Sequence, residues 1–245
     1  MLRVHVYTMA WNEEQFLPYF LRHYASFAQR IVVLDNQSDD RTADIVRAFP
    51  GAILGAYDTG GAMREDIRVR LKNEMWKSSR GQADFVIVVD TDELVWHPRL
   101  SDVLQTYQEQ GITLARCRGF EMIADQFPDT PGQIYDVVKR GCASTVYDKP
   151  CIFDPNAIDE MNFTLGGHGA KPRGGRIVLP ESWELYLLHF RMLGLDYFRS
   201  RMRVRQTRQP DFQRQRKWNA HYDQSDEQFE QWFRATDAAA VQVVP

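Results

Sequence analysis

The sequence predicts an α/β fold in which helices flank a Rossmann-like, mostly parallel sheet. Short apolar runs rich in β-branched residues recur through the first hundred positions, and segments with helical periodicity separate them. Several runs end at acidic or amide residues, where strands of a parallel sheet would leave the core. The chain has 245 residues, 44% of them hydrophobic, which is enough for one domain with a sizeable core.

The first part of the chain repeats a strand, a loop and a helix. The predicted order is a strand at 2–9, a helix opened by a capping box at 12–15, a strand at 31–35, a helix at 42–49, a strand at 52–57, a helix at 64–79 and a strand at 85–89. Pro18 lies inside the first helical pattern, so that helix either begins near it or kinks there. This alternation implies right-handed crossovers and parallel pairing.

The pattern changes after residue 100. The predicted elements are a helix at 101–110, a strand at 112–118, short strands at 161–165 and 184–190, and helices at 195–209 and 226–241. Between 119 and 180 the sequence is rich in Gly and Pro, and long loops of this kind usually carry function. We expect one continuous domain with an α/β half, 1–118, and an irregular half, 119–245.

The composition indicates which partners and which cellular location to expect. The net charge of −3 is nearly balanced and indicates no particular partner. The three cysteines, Cys117, Cys142 and Cys151, form no close pair of the kind found in zinc sites. No apolar run approaches the roughly 20 residues of a membrane span, and the chain does not open with a signal-peptide core. We expect a soluble cytoplasmic protein that could still sit on a membrane surface.

Three carboxylates follow the most apolar predicted strand: Asp90, Asp92 and Glu93. Alternation along an extended backbone points Asp90 and Asp92 to the same side, at the edge where open α/β sheets bind ligands. Such a pair suits Mg²⁺ or Mn²⁺, whose remaining positions substrate phosphates would fill. The alternative is a solvated turn or a helix cap. Acids beside a core strand are costly, however, unless something compensates their charge.

Two more strand ends, Thr8 to Asn12 and Asp35, should lie at the same edge, where doubly wound folds bind nucleotides. Neither a G-x-G-x-x-G loop nor a P-loop is present, so a metal would neutralise the diphosphate. Asp35 could accept a hydrogen bond from a base, and Lys72 and Asn73 could reach a diphosphate or a ribose. The alternatives are that Asp35 caps a turn and that Lys72 is a solvated helix residue.

Three segments together resemble glycosyltransferases of the GT-A fold, in the broad family-2-like group of small bacterial enzymes: 11–14, 34–42 and 89–93. The resemblance covers roughly residues 1–100. It implies a metal-dependent enzyme of polysaccharide biosynthesis that transfers a hexosyl or related sugar from a UDP- or GDP-linked donor. It also implies that Asn12, Glu13 and Asp35 lie near the base and ribose of that donor.

Later segments, at 147–150, 166–169 and 187–190, resemble the C-terminal part of the same group, where a late histidine often completes the metal shell. The resemblance thus implies His189 as a third metal ligand beside Asp90 and Asp92. A histidine bonded to a backbone carbonyl in the core is the alternative. The implied acceptor is a saccharide or a lipid-linked sugar, which would bring the enzyme to the inner membrane surface.

Inverting transfer, which the resemblance favours, needs a general base for the acceptor hydroxyl. The Glu-Asp pair that often follows the metal motif in inverting enzymes is absent, so the base must be an isolated residue. The candidates are Glu121, Asp125, His168 and Glu181. We favour Asp125, in a predicted loop, and His168, among glycines that allow close backbone approach. Either residue could instead have only a structural role.

The segment 199–217 contains eight Arg and Lys residues against one acid, Asp211. It could be a solvated helix face, or an anion site for a diphosphate or an acidic acceptor. Nucleic acid fits poorly, because interleaved aromatic residues and a basic chain are both lacking. Two other functions remain open: a metal-dependent phosphohydrolase, and a nucleotide-binding module that has lost its base.

Overall fold

Parallel strands from the first ninety residues form the centre of one sheet in the computed structural model, which describes residues 2–245. The strands are β1 (Val4–Ala10), β2 (Arg30–Asp35), β3 (Ala52–Ala56), β4 (Phe85–Val88), β5 (Glu93–Trp96), β6 (Leu114–Ala115), β7 (Arg118–Ala124), β8 (Arg140–Ala143), β9 (Ile152–Phe153), β10 (Ile158–Glu160), β11 (Arg173–Gly174), β12 (Tyr186–Leu193) and β13 (Val241–Gln242). The helices are α1 (Leu17–Ala25), α2 (Thr42–Ala48), α3 (Glu65–Glu74), α4 (Leu100–Glu109), α5 (Leu195–Thr207), α6 (Asp211–Gln215) and α7 (Asp226–Ala239).

The first sheet has the order β3-β2-β1-β4-β9-β6. The first four strands are parallel, and the two short strands β9 and β6 extend the sheet in antiparallel pairings. Every residue of β1 and β4 is buried, as expected for central strands covered on both faces. The predicted α/β class, with a mostly parallel sheet flanked by helices, is confirmed.

A second sheet has the order β13-β8-β7-β12-β5. Its strand β5 follows β4 after a turn at 89–92, so the chain passes from one sheet to the other at the acidic segment. Strand β12 lies between β5, to which it is antiparallel, and β7, to which it is parallel. The buried side chains of Phe198 and Met202 on α5 and Phe229 on α7 pack together beside this sheet.

Several predicted boundaries are wrong, each for a local reason. The capping box at 12–15 does not form: Asn12 has φ 52°, and α1 begins at Leu17 with Pro18 in its first turn. The helix predicted at 64–79 ends at Glu74, and the strand predicted at 112–118 is divided between β6 and β7. The segment 161–165 contains only an isolated bridge at Phe163, because the glycines that follow it turn the chain.

Within residues 2–245, no helix combines the length and the apolar character needed to cross a membrane.

Candidate active site

A cavity of about 520 Å³ opens where the two sheets approach each other. Its walls are the end of β1, the turn between β4 and β5, the strands β7 and β12, and one face of α5. The acidic residues that line it are Glu13, Glu65, Asp90, Asp92, Glu93 and Glu121, and the arginines are Arg68, Arg191, Arg201, Arg205 and Arg208. Its volume suits a small organic ligand.

Asp90 lies in the turn after β4, and three cationic side chains surround its carboxylate. Lys72 Nζ is 2.8 Å from Asp90 Oδ1, and Lys149 Nζ is 3.5 Å from Oδ2. Arg68 Nη2 is 3.3 Å from Oδ1. Burial would raise the pKa of Asp90, but these cations outweigh it and hold the pKa well below its usual range. They provide the compensation that an acid beside a core strand requires.

Asp92 faces His189 across the junction of β5 and β12. His189 Nε2 is 3.5 Å from Asp92 Oδ2, and His189 Nδ1 is 2.8 Å from Glu121 Oε1. The sheet sets this arrangement, because His189 is in register with Glu121 on β7 and with Glu93 on β5. Burial lowers the pKa of His189, but Glu121 and Asp92 together raise it to about 9. Burial likewise opposes ionisation of Asp92, yet His189 and Arg205 hold its pKa far below the usual range.

Both carboxylate oxygens of Glu121 have partners within the protein. Arg191 Nη2 lies 2.5 Å from Glu121 Oε2, and the Tyr147 hydroxyl donates to the same oxygen at 3.2 Å. The ring of Tyr147 also lies against His189, with 4.2 Å between the ring centroids. Burial would raise the pKa of Glu121, but Arg191 and His189 lower it. Glu121 therefore positions the imidazole and is not a free base.

The third carboxylate of the turn, Glu93, forms a buried ion pair with Lys149. The two side chains are only 1% and 3% exposed. Glu93 Oε2 also accepts a hydrogen bond from the backbone N–H of Asp90 at 3.0 Å. Glu93 thus supports the turn that carries the other two acids.

The residues predicted to bind the donor lie in different surroundings. Glu13 lines the cavity and pairs with Arg201, while its Oε2 is buried and has no hydrogen-bond partner among residues 2–245; burial raises the pKa of Glu13. Asp35 accepts hydrogen bonds from the backbone and hydroxyl of Ser38, and so caps the turn after β2. Asn12 bonds to Asp39 in the same region, outside the cavity lining.

Three other residues predicted to contact the donor are held inside the protein, two of them by internal partners. Thr8 is fully buried in β1, and its hydroxyl has no hydrogen-bond partner within the part of the chain that the structure describes. Lys72 is buried against Asp90. Asn73 accepts a hydrogen bond from the backbone N–H of Phe163 at 2.8 Å and thereby ties α3 to the irregular half of the chain.

Of the two favoured base candidates, only His168 lines the cavity. Its Nδ1 is 3.1 Å from the carbonyl oxygen of Val146, so an Nδ1–H donor leaves Nε2 unprotonated. The surrounding protein atoms and the nearby charge of Lys149 lower the pKa of His168, although its side chain is exposed. Asp125 is exposed beyond the end of β7 and does not line the cavity, and neither does Glu181. The catalytic roles of Asp125 and His168 stay predictions.

The acidic wall offers a partial donor set for a divalent cation. Asp92 and His189 present an oxygen and a nitrogen to each other, and Glu121 holds the second ring nitrogen, as outer carboxylates often do behind metal-binding histidines. The third expected ligand, Asp90, is engaged by Lys72 and Lys149. Among residues 2–245, no three His, Cys, Asp or Glu side chains are grouped closely enough to hold a metal ion. A bound cation would therefore have to draw Asp90 away from its lysines.

Helix α5 and the residue after it contribute a row of arginines from the basic segment 199–217, for which the sequence left a solvated face and an anion site open. Arg201 pairs with Glu13 and donates to the carbonyl oxygen of Asn12 at 3.0 Å, and Arg205 Nη2 lies 3.4 Å from Asp92 Oδ2. Arg208 follows after the helix ends. The spacing of four and then three residues, which places these side chains on one helix face, was the available signal.

No protein-family profile and no curated protein sequence matches the chain significantly. Among solved structures, residues 1–349 of TarS from S. aureus align with 84% of this chain and 65% of their own length, at 14% identity and a TM-score of 0.45. The same TarS fragment in complex with UDP-GlcNAc aligns with 84% of this chain and 66% of its own, at 15% identity and a TM-score of 0.41.

A third similar structure is glucosyl-3-phosphoglycerate synthase from Mycobacterium tuberculosis in complex with phosphoglyceric acid. It aligns with 56% of this chain and 47% of its own length, at 18% identity and a TM-score of 0.34. This chain covers 65% of the length of the TarS fragment, which is just under two thirds. No family membership follows from similarities of this size.

Proposed function

We propose that this protein is a GT-A-type glycosyltransferase that moves a hexosyl or related sugar from a UDP- or GDP-linked donor to an acceptor hydroxyl. The observation that carries the proposal is the pairing of Asp92 with His189 on the cavity wall, beside Asp90 at the carboxyl end of a parallel strand. The motif resemblance in residues 11–14, 34–42 and 89–93 supports the same chemistry.

The proposed cofactor is Mn²⁺ or Mg²⁺, held by Asp92 and His189 with Asp90 as the third ligand. Such an ion would stabilise the negative charge of the departing diphosphate. The chain's own residues have distinct tasks: Glu121 orients His189, and Glu93 supports the turn that carries the two aspartates. Lys72 and Lys149 keep Asp90 ionised until it takes up a ligand.

The proposed reaction is an inverting displacement. His168 Nε2 would take the proton of the acceptor hydroxyl, whose oxygen then forms a bond to the anomeric carbon. The bond from that carbon to the diphosphate breaks at the same time, and the nucleoside diphosphate leaves with the electron pair. Glycine on both sides of His168 lets the backbone approach the site closely. The proposed acceptor is a saccharide or a lipid-linked sugar, and the proposed location is the cytoplasm or its membrane surface.

A donor panel tests the proposal. The purified protein is incubated with Mn²⁺ and a set of nucleotide sugars, and nucleoside diphosphate release is measured with and without acceptors. A glycosyltransferase releases nucleoside diphosphate slowly from one donor and faster with its acceptor. Cleavage of the pyrophosphate bond instead would indicate a phosphohydrolase, and binding without any turnover would indicate a nucleotide-binding module.

Calorimetric titration of UDP with and without Mn²⁺ tests the metal ligands separately. Asp92→Asn and His189→Ala should each abolish most of the gain in affinity that Mn²⁺ provides, because each removes a donor atom. His97→Ala is the matched control, since His97 lies outside this cavity. Unchanged Mn²⁺-dependent binding in both variants would remove this wall as the metal site.

A further inference from the structure

The basic face of α5 is turned toward the cavity and not toward solvent. Arg201, Arg205 and Arg208 all line the cavity wall. Two of them have acidic partners, because Arg201 pairs with Glu13 and Arg205 with Asp92. The third, Arg208, forms no ion pair with any residue in the range 2–245. The charge of this guanidinium is therefore uncompensated within the described chain.

Arg208 is nevertheless held in a defined position. Its Cζ atom lies 3.3 Å from the centroid of the Trp11 ring, and its Nε donates to the carbonyl oxygen of Gly61 at 2.9 Å. Its Nη2 is buried and has no hydrogen-bond partner among the described residues. A fixed guanidinium with a vacant donor is prepared for a ligand acceptor atom.

A second guanidinium, that of Arg68, lines the same cavity and keeps one donor free although two carboxylates lie beside it. Arg68 Nη2 on α3 lies 3.3 Å from Asp90 Oδ1, and Arg68 Nε lies 3.6 Å from Glu65 Oε1. This Nε is buried and makes no hydrogen bond within the described part of the chain. Burial, followed by the nearby charge of Arg68, lowers the pKa of Arg208 to about 10, although Tyr57 opposes this shift. An anion placed between the two side chains would relieve both the desolvation and the repulsion.

We propose that Arg208 and Arg68 form a phosphate-binding subsite, separate from the carboxylates of Asp92 and Glu121. A phosphate group fits better than a carboxylate, because its oxygens can bridge two guanidinium groups that approach from different helices. The phosphate comes either from the nucleotide of the donor or from a phosphorylated acceptor. This assignment of substrate chemistry rests on the proposed function, but the affinity for inorganic phosphate does not.

Binding measurements in EDTA test the subsite without any contribution from a metal. UDP, uridine, a sugar monophosphate and inorganic phosphate are titrated into wild-type protein and into Arg208→Met, which keeps the length of the side chain beside Trp11. Arg208→Lys tests whether charge without the planar fork restores part of the binding. Arg203→Ala is the matched control, because Arg203 lies on the same helix and pairs with Asp226 outside the cavity. Thermal melting verifies that each variant is folded.

Arg208→Met should weaken UDP binding roughly tenfold to a hundredfold and leave uridine binding unchanged. If the sugar monophosphate loses affinity and UDP does not, the subsite is supported and belongs to the acceptor. Equal losses for UDP and uridine, or no loss for any phosphate compound, would show that Arg208 only packs on Trp11. If wild-type protein binds no nucleotide, the proposed function fails, and inorganic phosphate alone decides the subsite: binding that Arg208→Met removes supports it, and no binding overturns it.

Discussion

Lys149 is the side chain on which the acids of the cavity depend most directly. It pairs with Glu93 in the core and lies 3.5 Å from Asp90 Oδ2. Burial would lower the pKa of Lys149, but the two carboxylates raise it above its usual range. Its ammonium group thus stays charged and compensates two acids at once.

Lys149→Met should therefore destabilise the protein by about 3–5 kcal/mol, because it leaves the buried carboxylate of Glu93 without a partner. Urea unfolding measures the loss. Lys77→Met is the control, since Lys77 pairs with Glu74 and Glu160 at more exposed positions. The double variant Lys149→Met, Glu93→Gln should recover part of the loss, and a double variant no more stable than the single one would contradict the charge argument.

A buried histidine on α1, His23, makes the stability of the protein depend on pH. His23 is 3% exposed, and its Nε2 lies 2.8 Å from the carbonyl oxygen of Val95. Burial lowers its pKa to about 4, against 6.5 for an ordinary histidine. The unfolded chain thus binds a proton in the range where the folded chain does not.

Above pH 6.5, His23 is neutral in both the folded and the unfolded chain and does not reduce the free energy of unfolding. As the pH falls toward 4, the unfolded chain binds a proton there and the free energy of unfolding decreases by up to about 3 kcal/mol. Unfolding free energies at pH 7 and pH 5 should differ more in wild type than in His23→Gln, which cannot titrate. His5, whose pKa burial also lowers, remains in both proteins, so it cancels in the comparison. An equal pH dependence in the two proteins would show that His23 does not stay neutral.

At the scale of elements, the close approach of β7 to the segment 145–147 holds the Tyr147 ring against His189. Gly119 makes this approach possible, since a Cβ there would lie 2.4 Å from the Tyr147 carbonyl carbon and 2.6 Å from the Ser144 oxygen. Its backbone N–H also donates a hydrogen bond to Asp148 Oδ1 at 2.8 Å, which ties β7 to the residue after this segment.

Gly119→Ala should therefore cost at least about 1–3 kcal/mol of stability through overpacking against backbone atoms. Gly175→Ala is the matched control, because a Cβ at Gly175 would meet nothing within 4 Å. Chemical denaturation measures both variants. If they prove equally stable, segment 145–147 does not press on β7 as closely as described.

Elements differ in how far the sequence predicts them. The apolar run 85–89 predicts a buried strand and the position of Asp90 and Asp92 at its end, and both aspartates lie on the cavity wall. Lys149 carries no such signal, because its partner Glu93 is 56 positions away and a lone loop lysine has no pattern. The arginine spacing on α5 was visible, but helical periodicity alone does not show whether a polar face meets solvent or a cavity.

At the scale of the whole molecule, the two predicted parts, 1–118 and 119–245, exchange strands. Strand β9 of the second part extends the first sheet beside β4, and β5 of the first part is an edge strand of the second sheet beside β12. The cavity is likewise built from both parts, because Asp92 of the first part faces His189 of the second. Neither sheet is complete without both parts.

This exchange predicts that residues 1–118 do not fold when produced alone. The fragment would expose the unpaired edge of β4 and leave β5 without β12, and its Glu93 would lack Lys149. The intact chain should unfold in one cooperative transition with coincident near- and far-ultraviolet circular dichroism, whereas the fragment should show neither a near-ultraviolet signal nor a transition. A fragment that unfolds cooperatively would show that the first sheet is an independent domain and that β9 is dispensable to it.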